Sequence, residues 1–208
     1  RMAAESPIRV VVSHSEITAL KLAEEALLER ERERDRLRHS LELAMEVQQN
    51  LLPKSMPQIK GLDIAAESIY CDETGGDYFD FLDLGSQKMG IIVGDVSGHG
   101  IQSALLMTTV RGSLRQRIRK PDSLTRMISD LNGQFHADVE NSGHFMTLFA
   151  CEIDARNRIL RWLRAGHDPA MIYDIAADPF RELGGAGLPL GVARACQFEE
   201  SAGTIEDK

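Results

Sequence analysis

Two short runs set aspartate beside glycine: Gly75-Gly76-Asp77-Tyr78-Phe79-Asp80 and Gly94-Asp95-Val96-Ser97-Gly98-His99-Gly100. Glycine permits tight turns and lets backbone approach a ligand closely. A carboxylate with little side-chain bulk around it suits a hard divalent cation, which takes oxygen ligands and keeps several waters. Either run alone reads equally as a turn device, because Asp and Gly both favour turns. Together they say more. Asp77 opens one expected strand and Asp95 closes the next. A hairpin would bring both carboxylates to one end, where they repel unless a cation lies between them.

The remaining candidates are weaker. His99 lies four residues after Asp95 and is expected at a helix start rather than as an acid. Asp80 and Asp83 alternate with apolar residues, which predicts a solvent face. Met107 and Met146 are expected in the core. Cys71, Cys151 and Cys196 are odd in number and have no CxxC spacing, so they read as free thiols rather than as disulfides or a zinc knuckle.

Several elements must position the two aspartates. Apolar runs at Leu62–Ile69, Tyr78–Leu84, Met89–Val96, Phe145–Ile153, Ile159–Ala165 and Ala170–Ile175 read as strands, and Gly100–Ile118 and Asp122–Val139 as helices, with Asp122 as N-cap. Strands, two helices, then more strands predict an α+β domain with mainly antiparallel sheets.

Upstream, residues 16–53 lack Gly and Pro until Pro53 and are densely charged. A heptad frame puts Leu20, Ala23, Leu27, Leu37, Leu41, Ala44 and Leu51 on one seam, interrupted by Arg30, Arg34 and Gln48. This predicts a long helix that dimerises over residues 19–52. Pro7–Ser13 (PIRVVVS) is rich in β-branched residues and reads as a strand.

With 208 residues, the chain fits one domain of about 150 residues plus an appendage. A net charge of −8, from 24 Lys+Arg against 32 Asp+Glu, disfavours nucleic acid as the partner. No apolar run reaches the roughly 18 residues that span a bilayer. No signal peptide is visible, so a cytoplasmic location is expected. The chain opens on Arg1 and is expected to continue a longer protein.

The strings AMEVQQNLLP, GLDIAAES, GGDYFDF, IIVGDVSGHGIQSALLM, FMTLFACEID and AGHDPAMI, then GLPLGV, occur in this order with Leu131-Asn132 between. Over about Leu41 to Val192 they resemble the SpoIIE-like bacterial serine phosphatases of the metal-dependent (phosphatase 2C) superfamily. The resemblance implies a β-sandwich of two antiparallel sheets flanked by helices. It also implies a site holding two Mn²⁺ or Mg²⁺ ions, with Asp77 bridging them, and Asp95 and the Val96 carbonyl as further ligands. Phosphate would be removed by water without a covalent phospho-enzyme. His167 matches a family motif position, as a loop residue or a substrate contact, and Thr147 another, as a motif residue or strand packing. Helices 100–118 and 122–139 match a switch element. The expected substrate is a phosphoserine protein, of the STAS type that antagonises anti-sigma factors.

The family's later Thr-Asp-Gly strand and terminal aspartate, both metal-ligating, do not occur before Lys208, so a domain over 54–208 is expected to be C-terminally incomplete, and inactivity of this chain alone stays open. A non-catalytic phosphatase-like adaptor or dimerising module is the alternative. Residues 1–15 resemble the last strand of a PAS sensor, which implies a signal carried down the helix.

Overall fold

The structure, a computed structural model, describes residues 6–69, 75–118, 123–173 and 180–205, with backbone alone for 6–17. The chain divides into two compact units, Arg1–Ala44 and Met45–Lys208.

One helix, α1 (Ser6–Leu51), runs from the first unit into the second. In the first unit its seam leucines Leu20, Leu27 and Leu37 are exposed. Pro7–Ser13, expected as a strand, is helical here. Its β-branched residues cost only a few tenths of a kcal/mol each in a helix. None of the described strands pairs with it. Within the second unit Gln48 and Leu52 are buried and Met45 half-buried, a spacing that puts one helix face against this unit.

The second unit is built on a five-stranded antiparallel sheet in the order β1 (Asp77–Gly85), β2 (Lys88–Val96), β3 (Met146–Asp154), β4 (Ile159–Ala165), β7 (Glu200–Thr204). A hairpin of β5 (Ala170–Tyr173) and β6 (Phe180–Leu183) forms a second, two-stranded sheet. Helices α2 (Ile101–Arg117) and α3 (Leu124–Val139) cover one sheet face. Tyr78, Leu82, Ile92, Val96, Met146, Leu148 and Leu163 from the sheet pack there on Met107, Val110, Leu114, Ile128, Leu131 and Phe135. On the opposite face Phe149, Cys151 and Leu160 pack with Leu183, and Ile172 and Trp162 join them. Two antiparallel sheets flanked by helices are therefore present as expected, the second one small.

The differences from expectation are local. Leu62–Ile69 is not a strand: Leu62 makes a single bridge to Ile59, and Ile69 is exposed. β6 and β7 carry no apolar run and were not expected; each exists through its ladder with a neighbour. Asp122 lies outside the described residues, as do Cys71 and Ile175, and the α3 cap is Ser123, whose Oγ accepts from the Arg126 N–H at 3.2 Å.

Asp80 is the main correction. It is fully buried, in phase with the buried Tyr78 and Leu82. Its carboxylate accepts from Arg115 Nε at 2.7 Å and Nη2 at 2.6 Å, from the Tyr78 hydroxyl at 3.0 Å and from the Phe81 N–H at 2.9 Å. Burial, reinforced by Asp80, pushes the Tyr78 phenol well above its ordinary range, so it stays a donor. Asp83 is exposed, as expected.

Candidate functional site

The β1–β2 register places Asp77 directly opposite Asp95, and the β2–β3 register places Asp95 opposite Thr147. Cross-strand partners share a face, so Asp77, Asp95 and Thr147 form one row across three strands, on the side away from α2 and α3. His167, just past β4, extends the row: its Nδ1 lies 2.8 Å from Thr147 Oγ1, within hydrogen-bond reach. The structure thus brings together Asp77, Asp95, Thr147 and His167. His99 sits apart, exposed, in the turn before α2.

The electrostatics agree with this row. Partial burial of the carboxylate, and then the Asp77 charge, raise the Asp95 pKa, with His167 acting the other way. Burial holds the His167 imidazole below its usual value and Arg164 adds to that, against the pull of Asp168, Asp95 and Asp77.

Glycines let the strands close around the row. Gly76 is buried, and its carbonyl accepts from the Val96 N–H at 3.2 Å. A Cβ on Gly76 would collide with the Val96 carbonyl oxygen and sit 3.1 Å from Asp95 Oδ1. After Val96, the Ser97 N–H donates to the Phe145 carbonyl at 2.8 Å and Ser97 Oγ accepts from the Phe145 N–H at 3.0 Å. His144 Nδ1 donates to the Ser97 carbonyl at 2.9 Å, which fixes the proton on that nitrogen. Gly98 takes φ +89° beside the His144 ring.

A strap closes the far side. Leu190 exchanges backbone hydrogen bonds with Met146 at 2.8 and 3.0 Å. From α3, Asn132 Oδ1 accepts from the Gly191 N–H at 3.0 Å, and its Nδ2 donates to Ala193 and Arg194 carbonyls at 2.9 and 3.2 Å. Sequence reasoning did not find Ser97, His144 or this role of Asn132. Their signal is polarity in otherwise apolar or glycine-rich surroundings.

The residues present fit a hard cation as part of a shell. Asp77, Asp95 and the Val96 carbonyl offer oxygen donors only. Among the described residues no three His, Cys, Asp or Glu side chains are gathered to hold an ion alone, so water and carbonyls would complete the coordination. Cys151 and Cys196 take no part: burial, then Glu152, pushes the Cys151 thiol up to about 12, and both are free of disulfides.

The chain is 27% identical over 164 residues to phosphoserine phosphatase RsbU of Bacillus subtilis, covering 79% of this chain and 48% of that protein. It is 27% identical over 170 residues to phosphoserine phosphatase RsbP of the same organism, covering 79% and 41%. It thus spans less than half the length of these relatives. Among solved structures, the SiaA-PP2C domain of Pseudomonas aeruginosa superposes with a TM-score of 0.64 at 18% identity, over 83% of this chain and 69% of that one, which shows the shared phosphatase 2C-type fold. Residues 85–208, more than half of the sequence, match the family described as Stage II sporulation protein E, and the chain belongs to this SpoIIE family.

Proposed function

We propose that the chain is a metal-dependent protein serine/threonine phosphatase of a bacterial signalling pathway, acting in the cytoplasm on a phosphoserine protein of the STAS type. The observation that carries the reading is the register of Asp77 against Asp95. Two facing carboxylates repel each other, and a cation between them relieves that repulsion. The names of the relatives, phosphoserine phosphatases RsbU and RsbP, support the substrate class.

Asp77, Asp95 and the Val96 carbonyl would hold Mn²⁺ or Mg²⁺, two ions per complete site. When bound, such ions acidify water and neutralise charge on phosphoryl oxygens. The chain's own residues position the reactants. Gly76 keeps the Asp77 backbone against Val96. Thr147 orients the His167 imidazole, which contacts the phosphoryl group or its leaving oxygen.

Regulation comes through α1. Its exposed Leu20, Leu27 and Leu37 support pairing with a second copy over residues 19–52.

Phosphate release from a phosphoserine STAS-domain protein, with and without Mn²⁺, by this chain extended through a Thr-Asp-Gly strand tests the reading. Asp77→Asn and Asp95→Asn should each slow a Mn²⁺-dependent rate about 100-fold, or roughly 2.7 kcal/mol of barrier. A rate that ignores Mn²⁺ and both substitutions overturns it.

A further inference from the structure

We propose that Gln48 is a positioning residue for Asp77, acting through the backbone of Gly75. The inference rests on reading Asp77 as a metal ligand. Gln48 stands on α1 where the heptad pattern calls for an apolar residue, yet it is only 5% exposed. Its side-chain amide meets one backbone unit at two points. Nε2 donates to the Gly75 carbonyl at 2.6 Å, and Oε1 accepts from the Gly75 N–H at 3.4 Å. The amide thus stands in for a neighbouring strand two residues ahead of Asp77.

The need for it follows from the loop. Gly75 and Gly76 have no side chains with which to anchor themselves, and glycine has the most backbone freedom to lose. Gly76 is tied on one side by the Val96 N–H. Gln48 ties Gly75 on the other. A carboxylate on a fixed backbone binds a cation without first being ordered, so affinity falls when the support is removed. Because Gln48 belongs to the last turns of α1, a rotation of those turns about the helix axis would withdraw the amide and loosen Asp77.

The test measures Mn²⁺ binding to the chain by the electron paramagnetic resonance signal of free Mn²⁺, together with amide hydrogen exchange across residues 75–80. Gln48→Met keeps the length and packing of the side chain but loses both hydrogen bonds. It should weaken Mn²⁺ about 10-fold, the usual effect of losing a group that supports a ligand, and speed exchange at Gly75 to Tyr78. Leu52→Ala, a core truncation that leaves the amide in place, should lower the melting temperature and leave the Mn²⁺ affinity within about twofold. That contrast separates positioning from mere stability. Gln48→Asn, one methylene too short to reach both groups, carries the same comparison if Gln48→Met does not fold. If Asp77→Asn weakens Mn²⁺ while neither Gln48 variant does, the positioning role is wrong and the metal reading stands. If Asp77→Asn itself leaves Mn²⁺ binding unchanged, the metal reading fails and the role of Gln48 fails with it.

Discussion

Replacing Arg115 by methionine should destabilise the sheet-bearing unit far more than a half-exposed arginine would suggest. Asp80 has no solvent exposure, while the Arg115 side chain is 44% exposed. Arg115→Met removes two of the four hydrogen bonds that the Asp80 carboxylate accepts, leaving Tyr78 and Phe81. Breaking a buried pair from one side costs about 3–5 kcal/mol, because the remaining charge is uncompensated. Here water can enter the space vacated by the exposed guanidinium, which brings the expected loss to about 2–3 kcal/mol. For a unit of this size that is about 4–12 °C in melting temperature. Asp80→Asn should cost less, because Arg115 can turn out to solvent. The double variant Asp80→Asn/Arg115→Met should be more stable than the sum of the singles by about 1–3 kcal/mol. Urea melts followed by Trp162 fluorescence and far-ultraviolet circular dichroism supply the four corners of this cycle. A loss below about 1 kcal/mol for Arg115→Met, with a coupling within about 0.5 kcal/mol of zero, would refute the argument.

Three further outcomes are expected. Gly76→Ala drives a methyl into the Val96 carbonyl, so it should separate β1 from β2 at the Asp77 end and reduce Mn²⁺ affinity; unchanged binding in titrations would contradict the close approach. Asn132→Ala leaves the Gly191 N–H and two strap carbonyls without their partner, for a loss of about 1–3 kcal/mol in denaturant melts. Asp154 is held below its usual carboxylate value by the Asn157 backbone N–H and then by its side chain. Its folded pKa is below the unfolded value of about 3.9, so its contribution is full above that pH and is lost as pH falls through the folded value. Asn157→Ala should therefore shrink the drop in melting temperature between pH 7 and pH 3, and an equal drop in both proteins would refute the assignment.

The aspartate pair was legible because its signals are local. Glycine beside aspartate and apolar alternation at period two set the ends of β1 and β2, and a short turn sets their register. The partners that hold the row were not legible. Gln48 reaches Gly75 across 27 residues, Arg115 reaches Asp80 across 35 and Asn132 reaches Ala193 across 61. No periodicity encodes such contacts. Yet each left a trace. Gln48 interrupts the heptad seam. Asp80 shares a face with Tyr78 and Leu82, so the alternation that seemed to expose it required burial with a cation. β6 and β7 left no trace, because strands without an apolar run are defined by the neighbour they pair with.

These three polar contacts explain how a site of small residues can be rigid. Asp77, Asp95 and Thr147 lie at strand ends, and a glycine precedes each of the two aspartates. One polar contact from each of three helices holds the surroundings of the row. Gln48 ties α1 to the loop before Asp77. Arg115 ties α2, whose chain has just left Asp95, back to the middle of β1. Asn132 ties α3 to the strap that pairs with Met146, next to Thr147. A buried polar contact has one satisfied geometry and is costly to leave half-made, so a helix cannot slide by small amounts without breaking it. A displacement of any one helix is therefore felt at one identifiable place in the sheet, at Asp77 for α1, at Asp80 for α2 and beside Thr147 for α3. Hydrogen exchange in the matching variants should open those three places separately, and a uniform opening in all of them would show that the row is held by the sheet alone.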